Sequence, residues 1–132
     1  MQTIVLVMRR RLAAQGLMRK LRDDPGFQFV FEPSYSMAAE TIRSRNAGVA
    51  LIEIALTAGH DAARCLALCV QLRSQAPLCK LLLMCPEQDE AAVARAVEAK
   101  REGRIDDFVF YDASAEFLAF KLLSMEGSVS IT

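Results

Sequence analysis

The sequence predicts an α/β domain in which a parallel β-sheet is covered by helices on both faces. Short apolar runs alternate along the chain with longer segments whose apolar residues recur at helical spacing. Five such strand–helix units follow one another within 132 residues, and the connections between them are short. Because crossovers between parallel strands are right-handed, this alternation predicts a doubly wound sheet.

Several strand orders fit five units, and the flavodoxin-like order 2-1-3-4-5 with five helices is the commonest at this size. We place the domain at residues 1–125, which is enough chain to bury a sizeable core. Residues 126–132 are expected to be a disordered tail or the start of a linker.

The first half of the chain contains three predicted strands and two predicted helices. Residues 3–8 form a continuous run rich in β-branched side chains, which is typical of a central parallel strand. Residues 9–24 place leucines and a methionine at helical spacing, and the Asp-Pro-Gly sequence at 24–26 ends this helix. Residues 27–32 alternate like a strand, and a proline and a serine then open a second helix over 34–45. Residues 47–56 predict the third strand, which is apolar apart from one acid.

The second half of the chain repeats the alternation twice more. Residues 60–75 predict a third helix with cysteines and leucines on one face, and residues 79–85 predict the fourth strand. Residues 89–103 have acids in the first turn, basic residues in the last turn and a glycine at the end, so this helix is clearly bounded. Residues 106–112 predict the fifth strand, and residues 114–125 a fifth helix that its first residue, a serine, can cap.

Composition restricts the partners and the location of the protein. The chain has 16 basic and 16 acidic residues, so a zero net charge gives no long-range attraction to nucleic acid or anionic membrane. No apolar run approaches the ~20 residues that cross a bilayer, and the N-terminal residues do not resemble a secretion signal. We therefore expect a cytoplasmic protein that binds neither nucleic acid nor membrane directly.

The four cysteines lack the spacing of a metal site or a disulfide. Cys65 and Cys69 share one face of the third predicted helix, whereas Cys79 and Cys85 lie at opposite ends of the fourth predicted strand, roughly 20 Å apart. We expect small buried thiols and no metal. Cys85 as a reactive nucleophile is the least favoured interpretation, because nothing near it resembles a base.

In a doubly wound sheet, the functional site lies at the carboxyl ends of the strands. The sequence places 8–11 (Met-Arg-Arg-Arg) after strand 1, Glu53 in strand 3, Cys85 at the end of strand 4 and Tyr111 at the end of strand 5. A glycine-rich phosphate loop, which a nucleotide would require, does not follow the first strand in the sequence. Three arginines stand there instead, at a helix start where the dipole disfavours cations, so we expect an anion to compensate them.

The layout resembles the receiver domain of bacterial two-component response regulators over essentially the whole chain. Three stretches are similar to the family's first helix and second strand, its acceptor strand and its fifth strand: GLMRKLRDDPGFQFVFEP, VALIEIAL and IDDFVFYDAS. The resemblance implies the flavodoxin-like fold and a role in signal transduction, as in a phosphorelay, with an output domain or a partner protein.

The resemblance also implies where the phosphorylation residues of the family fall. The acidic pair after strand 1 falls on Met8 and Arg9, and the phosphoacceptor aspartate falls on Glu53. The hydroxyl residue of strand 4 falls on Cys85, and the lysine of strand 5 falls on Tyr111. Every position that carries the chemistry of the family has therefore changed.

Two further positions follow from the same resemblance: the switch aromatic of strand 5 falls on Phe108, and the proline after strand 3 falls on Thr57. Mg²⁺ requires several oxygen ligands, whereas the degenerate site offers one carboxylate beside an arginine. Without the metal and the lysine, phosphoryl transfer loses its charge stabilisation. We expect no magnesium or other cofactor and no phosphoacceptor or other enzymatic activity.

Glu53 has two interpretations that stay open at this point, because a buried carboxylate is costly unless donors or a cation meet it. It is either a structural acid satisfied by backbone N–H groups or the partner of Arg9 in an ion pair that replaces the metal cluster. Arg9, Arg10 and Arg11 are either solvated or bind a small anion. Tyr111 is expected to be a packed strand-end aromatic, and His60 an exposed loop or cap residue.

These observations predict a pseudo-receiver that signals through protein–protein contacts without phosphorylation. The alternative is a sensor of a small anion or ligand that uses the arginine cluster. The fifth predicted helix carries more apolar residues than one core-facing stripe requires. We expect a two-fold homodimer through helix 4, strand 5 and helix 5, with Phe117, Phe120 and Leu123 on the dimer face.

Overall fold

The computed structural model of the protein contains one five-stranded parallel sheet, and it describes residues 2–24 and 26–127. The strand order is β2-β1-β3-β4-β5, which confirms the predicted fold class. The predicted tail lies largely outside the described residues. The strands are β1 (Gln2–Val7), β2 (Phe27–Glu32), β3 (Val49–Glu53), β4 (Lys80–Cys85) and β5 (Asp107–Phe110).

Five α-helices connect or follow the strands, as predicted. They are α1 (Arg11–Leu21), α2 (Ala38–Ser44), α3 (Ala62–Gln75), α4 (Glu90–Arg101) and α5 (Ala115–Gly127). Two short 3-10 turns, Tyr35–Met37 and Leu56–Ala58, precede α2 and α3. No helix in the described part of the chain is long and apolar enough to span a membrane.

Helix starts differ in how their first N–H groups are satisfied. Asp61 accepts from the amide of Arg64 and Asp89 from that of Ala92, so α3 and α4 have side-chain caps. The Ser114 hydroxyl accepts from the amide of Phe117 at 3.0 Å, as predicted for α5. Helix α1 has no side-chain cap, because an arginine occupies its N-cap position.

The sheet separates two apolar clusters, as the alternation of strand side chains requires. Val5 and Val7 of β1 pack against α2, α3 and α4, whereas Ile4 and Leu6 pack against α1 and α5. All four of these side chains are buried. The central strands are therefore covered on both faces, which explains their nearly continuous apolar sequence.

The third predicted strand is shorter than expected, because the chain leaves the ladder after Glu53. The amide of Ile54 still donates to the carbonyl of Met84, at 2.9 Å. Ala55 and His60 then exchange two backbone hydrogen bonds of 2.8 and 3.0 Å, which close a small loop before α3. The end of β3 is thus a hydrogen-bonded turn rather than a longer strand.

Candidate functional site

A crevice of ≈ 480 Å³ lies at the carboxyl ends of the strands, where the sequence predicts the functional site. Val7 of β1 pairs with Ile52 of β3, so the next residues, Met8 and Glu53, are neighbours at this edge of the sheet. The crevice is lined by Arg9, Arg10, Ala55, Leu56, Thr57, Pro86 and Tyr111.

Glu53 is fully buried beside this crevice and accepts three hydrogen bonds. Its Oε1 accepts from the backbone amides of Arg9, at 2.8 Å, and Arg10, at 3.1 Å. Its Oε2 accepts from Nε of Arg10, which forms an ion pair with it. The carboxylate therefore has both backbone donors and a cation, which together offset the cost of its burial.

The prediction that Glu53 forms an ion pair with Arg9 is wrong, because its partner is Arg10. The Arg9 side chain points elsewhere, and its Nη1 donates to the carbonyl of Pro33 at 3.1 Å. The backbone is extended at Arg10 (φ −80°, ψ 91°), and successive side chains of an extended segment point in opposite directions. With Arg10 directed at Glu53, Arg9 has to turn away and contributes only its amide.

The guanidinium of Arg10 is fixed by three different groups. In addition to Glu53, its carbon lies 4.0 Å from the centre of the Tyr111 ring, a cation–π contact. Its Nη2 contacts the sulfur of Met84 at 3.6 Å. The Arg10 side chain keeps 44% of its surface exposed. The carboxylate of this ion pair is therefore shielded from solvent, whereas the guanidinium is partly solvated.

Two tyrosine hydroxyls hold the end of β3. Tyr35 donates to the carbonyl of Glu53, and Tyr111 donates to the next carbonyl, that of Ile54. Burial is the main cause that raises the pKa of Tyr35, and burial together with the Glu53 charge raises the pKa of Tyr111 to about 12. Both phenols therefore stay protonated near neutral pH and remain donors. Tyr111 is a packed aromatic, as predicted, with a hydrogen bond that the sequence did not indicate.

His60 is half-buried and lies on the ring of Tyr35, which corrects the prediction of an exposed loop or cap residue. The ring centres are 3.9 Å apart and the planes are nearly parallel, at 10°. Asp61, not His60, caps α3. Burial, followed by the charges of Arg9 and Arg64, lowers the pKa of His60 below its ordinary value. The neutral form of the ring is thus the one that the fold favours.

The four cysteines are buried and free, as predicted. Burial raises the pKa of Cys85 to about 11 and the pKa of each of the other three to about 12. Cys65 donates to the carbonyl of Glu53 at 3.6 Å, which is a structural contact. Because a thiolate is the reactive form, these pKa values argue against nucleophilic chemistry at Cys85.

The residues in this crevice do not fit Mg²⁺. The ion takes several oxygen ligands in octahedral array, and both oxygens of Glu53 already accept hydrogen bonds. Met8 and Arg9, on which the resemblance places the acidic pair of the family, offer no carboxylate, and Met8 is fully buried. Within the described residues, no group of three His, Cys, Asp or Glu side chains is placed to hold a metal.

The remaining predicted site residues lie apart from the Glu53 contacts. The guanidinium of Arg11 lies 4.9 Å from the centre of the Phe31 ring on β2, so the three arginines make different contacts. Thr57 is exposed in the 3-10 turn and lines the crevice. Phe108 packs partly buried against the core, and its ring meets that of Phe110 edge-on at 5.9 Å.

The predicted dimer residues form an exposed stripe on α5. Phe117, Phe120 and Leu123 are 48%, 70% and 47% exposed, whereas Leu118 and Leu122 are buried against the sheet. Residues three apart are neighbours on a helix surface, so the three exposed side chains are contiguous. We call them the α5 stripe.

The α5 stripe begins beside β5. The Lys121 ammonium lies 5.4 Å from the ring centre of Phe117 and binds Asp107 of β5 at 2.6 Å. Lys100 of α4 binds the other oxygen of Asp107 at 3.0 Å, so one carboxylate joins α4, β5 and α5. Burial tends to raise the pKa of Asp107, but the hydrogen bonds from both lysines outweigh it and lower that pKa.

Solved structures, rather than sequence matches, identify the known proteins that share this fold. No protein-family model matches the sequence, and a comparison with curated proteins finds no match. A two-component response regulator from Clostridium difficile superposes with a TM-score of 0.78 at 17% identity, over 100% of both chains.

Two further structures carry the same architecture. The receiver domain of a signal transduction histidine kinase from Syntrophus aciditrophicus gives a TM-score of 0.78 at 20% identity, over 100% of this chain and 95% of that one. The receiver domain of an HD domain-containing protein from Pseudomonas fluorescens gives 0.76 at 19% identity, over 94% and 85%. The chain has the receiver-domain fold.

Proposed function

We propose that the protein is a receiver-type signalling module that works without phosphorylation, through contacts with other proteins. One observation carries the proposal: the Arg10 guanidinium is held on Glu53 inside the crevice, at the edge of the sheet where receivers transfer a phosphoryl group. The positive charge at this site is therefore a side chain of the protein, the Arg10 guanidinium, which three contacts hold in place.

The chemistry of the neighbouring positions supports this proposal. Phosphoryl transfer depends on metal and lysine charges that stabilise the transferred group. In the positions that the resemblance assigns to these functions, the chain has Met8, Arg9 and Tyr111. Tyr111 lines the crevice, but its hydroxyl already donates to the Ile54 carbonyl and carries no positive charge, so it does not replace the lysine.

Receiver domains among the structural neighbours belong to larger signalling proteins, a histidine kinase and an HD domain-containing protein. We propose by analogy that this module is bacterial, acts in the cytoplasm and conveys its signal to an output domain or a partner protein. The hydrogen bonds from Tyr35 and Tyr111 to the end of β3 hold one arrangement of the crevice without a bound group.

We also propose that the module forms a two-fold homodimer through α4, β5 and α5. The α5 stripe supplies large apolar side chains in solvent, and Phe110 of β5 is 38% exposed. Exposed apolar patches of this kind usually mark interfaces. The ion pairs of Asp107 with Lys100 and Lys121 lie on the same face and supply a polar surround.

The alternative function, a small-anion sensor, has weaker support. Arg9 and Arg10 line the crevice, but Arg10 is neutralised by Glu53 and Arg9 is directed at the Pro33 carbonyl. An anion would have to separate these contacts before it could bind both arginines. Thermal unfolding with added phosphate or sulfate tests this directly, because specific binding raises the melting temperature with ligand concentration.

The proposal is tested by incubating the protein with acetyl phosphate and Mg²⁺ and measuring its intact mass. We expect no species heavier by one phosphoryl group, under conditions in which a receiver with an intact acidic pocket is modified. A stable phosphoryl adduct that is absent from the Glu53→Gln variant would refute phosphorylation-independent function. An adduct that persists in Glu53→Gln would be modification at another side chain and would leave the proposal standing.

A further inference from the structure

A second concave surface lies at the opposite edge of the sheet from the α5 stripe, between α1 and β2. Its volume is ≈ 500 Å³, and we call it the α1–β2 groove. Gln15, Met18, Arg19 and Arg22 line it from one side of α1, where their spacing places them on one helix face. The other lining residues are Phe27 and Phe29 of β2.

The floor of the groove is aromatic and the wall is basic. The rings of Phe27 and Phe29 meet edge-on, with centres 6.0 Å apart, and Phe29 keeps part of its surface exposed. Arg19 and Arg22 are exposed and make no ion pair within residues 2–24 and 26–127. An apolar surface therefore lies next to two cations without a carboxylate partner.

The charge of this region differs from that of the whole chain. Residues 9–24 include six basic side chains and two acidic ones, Asp23 and Asp24, although the chain as a whole is neutral. Five of these six remain after the ion pair of Arg10 with Glu53 is counted. The local excess of positive charge favours a negatively charged occupant.

The strand at the groove also has a free edge. In the described chain β2 pairs with β1 alone, so its outer backbone N–H and C=O groups have no strand partner. Natural edge strands are usually protected by lysine, proline or a bulge, or are covered by another segment. The sequence of β2, FQFVFE, has neither lysine nor proline.

We propose that the α1–β2 groove binds an extended acidic segment of a partner protein, which pairs with the edge of β2. Every second side chain of an added strand would face α1. Among these, apolar side chains would lie on Phe29 and Met18, and carboxylates would meet Arg19 and Arg22. Peptides that add a strand to a sheet edge obtain affinity from backbone hydrogen bonds and specificity from side-chain pockets, both of which this groove offers. The site lies apart from the crevice and the α5 stripe, so its failure would leave the proposed function standing.

The test uses a fluorescein-labelled peptide in which every second residue is threonine and the residues between them alternate leucine and glutamate, so that both face the groove when the peptide is extended. The control peptide has lysine in place of glutamate. Fluorescence polarisation should show saturable binding of the acidic peptide and none of the basic one. Binding should weaken as salt is added, because exposed charge contacts are screened. Equal binding of the two peptides, or no binding of either, would overturn the proposal.

Two charge-reversal variants locate the binding. Arg19→Glu with Arg22→Glu should weaken the acidic peptide by at least about tenfold, which corresponds to ~1.4 kcal/mol. Lys20→Glu is the matched control, because this residue lies on the same helix but does not line the groove, and its effect should stay within about twofold. Similar losses in both variants would mean diffuse attraction rather than a groove.

A modified probe tests strand pairing without any change to the protein. Methylation of alternate backbone nitrogens of the acidic peptide removes the donors that would pair with β2, and it should abolish binding. Unchanged binding of the methylated peptide would overturn the pairing with β2.

Other occupants give different outcomes, and each would overturn the proposal. Sedimentation with phosphatidylserine vesicles that depends on Arg19 and Arg22 would indicate a lipid surface. Self-association that is lost in the same double variant would indicate a second copy of the chain.

Discussion

At the carboxyl ends of β1 and β3, polar and charged side chains are paired with one another, whereas on the outer face of α5 large apolar side chains lie in solvent. Glu53 is fully buried and has three donors, while Phe120 is 70% exposed. The first region has its polar groups satisfied internally, and the second has apolar surface that another molecule can cover. The difference supports the proposal that the protein works through its surface rather than through chemistry in its crevice.

The contrast between the two regions has a consequence for mutational sensitivity. Changes in the crevice should lower the stability of the folded chain, because they leave buried groups without partners. Changes on the α5 stripe should leave the folded chain intact and alter only its association. The following predictions test this division, from the largest effect to the smallest.

The largest loss of stability is expected for Arg10→Met, which leaves the Glu53 carboxylate without its cation. Breaking a fully buried pair costs ~3–5 kcal/mol, and the partial exposure of Arg10 and the two remaining backbone donors reduce this to about 2–3 kcal/mol. Urea unfolding measures the change. Arg9→Met is the matched control and should lose less than about 0.5 kcal/mol, because its side chain lies outside this contact.

A double-mutant cycle isolates the pair itself. Glu53→Gln combined with Arg10→Met strands no charge, so the double variant should be more stable than the sum of the single losses predicts, by about 1 kcal/mol or more. Strictly additive losses would mean that Glu53 depends on the backbone amides of Arg9 and Arg10 rather than on the guanidinium.

On the α5 stripe, Phe120→Ser should weaken self-association by about thirtyfold, or ~2 kcal/mol, the size typical of a central aromatic contact. Sedimentation velocity over a range of concentrations measures it. Leu78→Ser is the control, since Leu78 is 92% exposed but precedes β4, away from α5. A monomeric parent chain at high concentration, or equal effects of the two variants, would contradict the proposed interface.

Removal of one hydroxyl in the crevice should have a smaller effect. Tyr111→Phe leaves the Ile54 carbonyl without this donor and should cost about 1–2 kcal/mol in urea unfolding. Tyr111→Leu also removes the ring that Arg10 contacts and should cost more. If Tyr111→Phe is as stable as the parent chain, the hydroxyl does not hold the end of β3.

The smallest effect concerns pH. The folded state lowers the pKa of His60, so the unfolded chain binds more protons, and this contribution destabilises the fold as the pH falls below the ordinary value of about 6.5. His60→Phe keeps a ring on Tyr35 and should remove this part of the pH dependence. The acidic group Asp107, whose folded pKa is lowered, loses its contribution in a separate window, below about 3.9.

Thermal unfolding of the parent chain and of the His60→Phe variant, measured across both pH ranges, separates the contribution of His60 from that of Asp107. The two curves should converge at neutral pH and diverge on acidification towards the lowered pKa of His60. Parallel curves would show that the ring of His60 does not titrate with unfolding.

The fold was predictable because it depends on patterns that single residues do not alter. Alternating apolar runs and helical segments, with turn residues between them, predict a doubly wound parallel sheet once right-handed crossovers are assumed. The order 2-1-3-4-5 was chosen among several as the commonest at this size. The capping serine Ser114 was likewise predictable, since a hydroxyl before a helix has one common use. The end of β3 was not, because the bridge between Ala55 and His60 depends on a loop conformation that apolar sequence does not specify.

The candidate site was predicted in its position but not in its contacts. The sequence left Glu53 either satisfied by backbone N–H groups or paired with Arg9, and the structure gives it both backbone donors and a cation. The choice of Arg10 over Arg9 depends on the direction in which an extended backbone projects alternate side chains. The alternation of side chains along an extended segment could therefore have indicated Arg10 once Glu53 was placed at the strand end. The stacking of His60 on Tyr35 had no sequence signal, because the two residues are brought together by different loops.

The most direct test of the central claim, that the crevice is closed to receiver chemistry, is an NMR titration of the ¹⁵N-labelled protein with Mg²⁺ and beryllofluoride. The amides of Arg9 and Arg10 report on the Glu53 carboxylate, since both donate to it. We expect no saturable shift of the amide signals of Arg9, Arg10 or Tyr111. Saturable shifts centred on these residues, dependent on both Mg²⁺ and beryllofluoride and absent from Glu53→Gln, would contradict it.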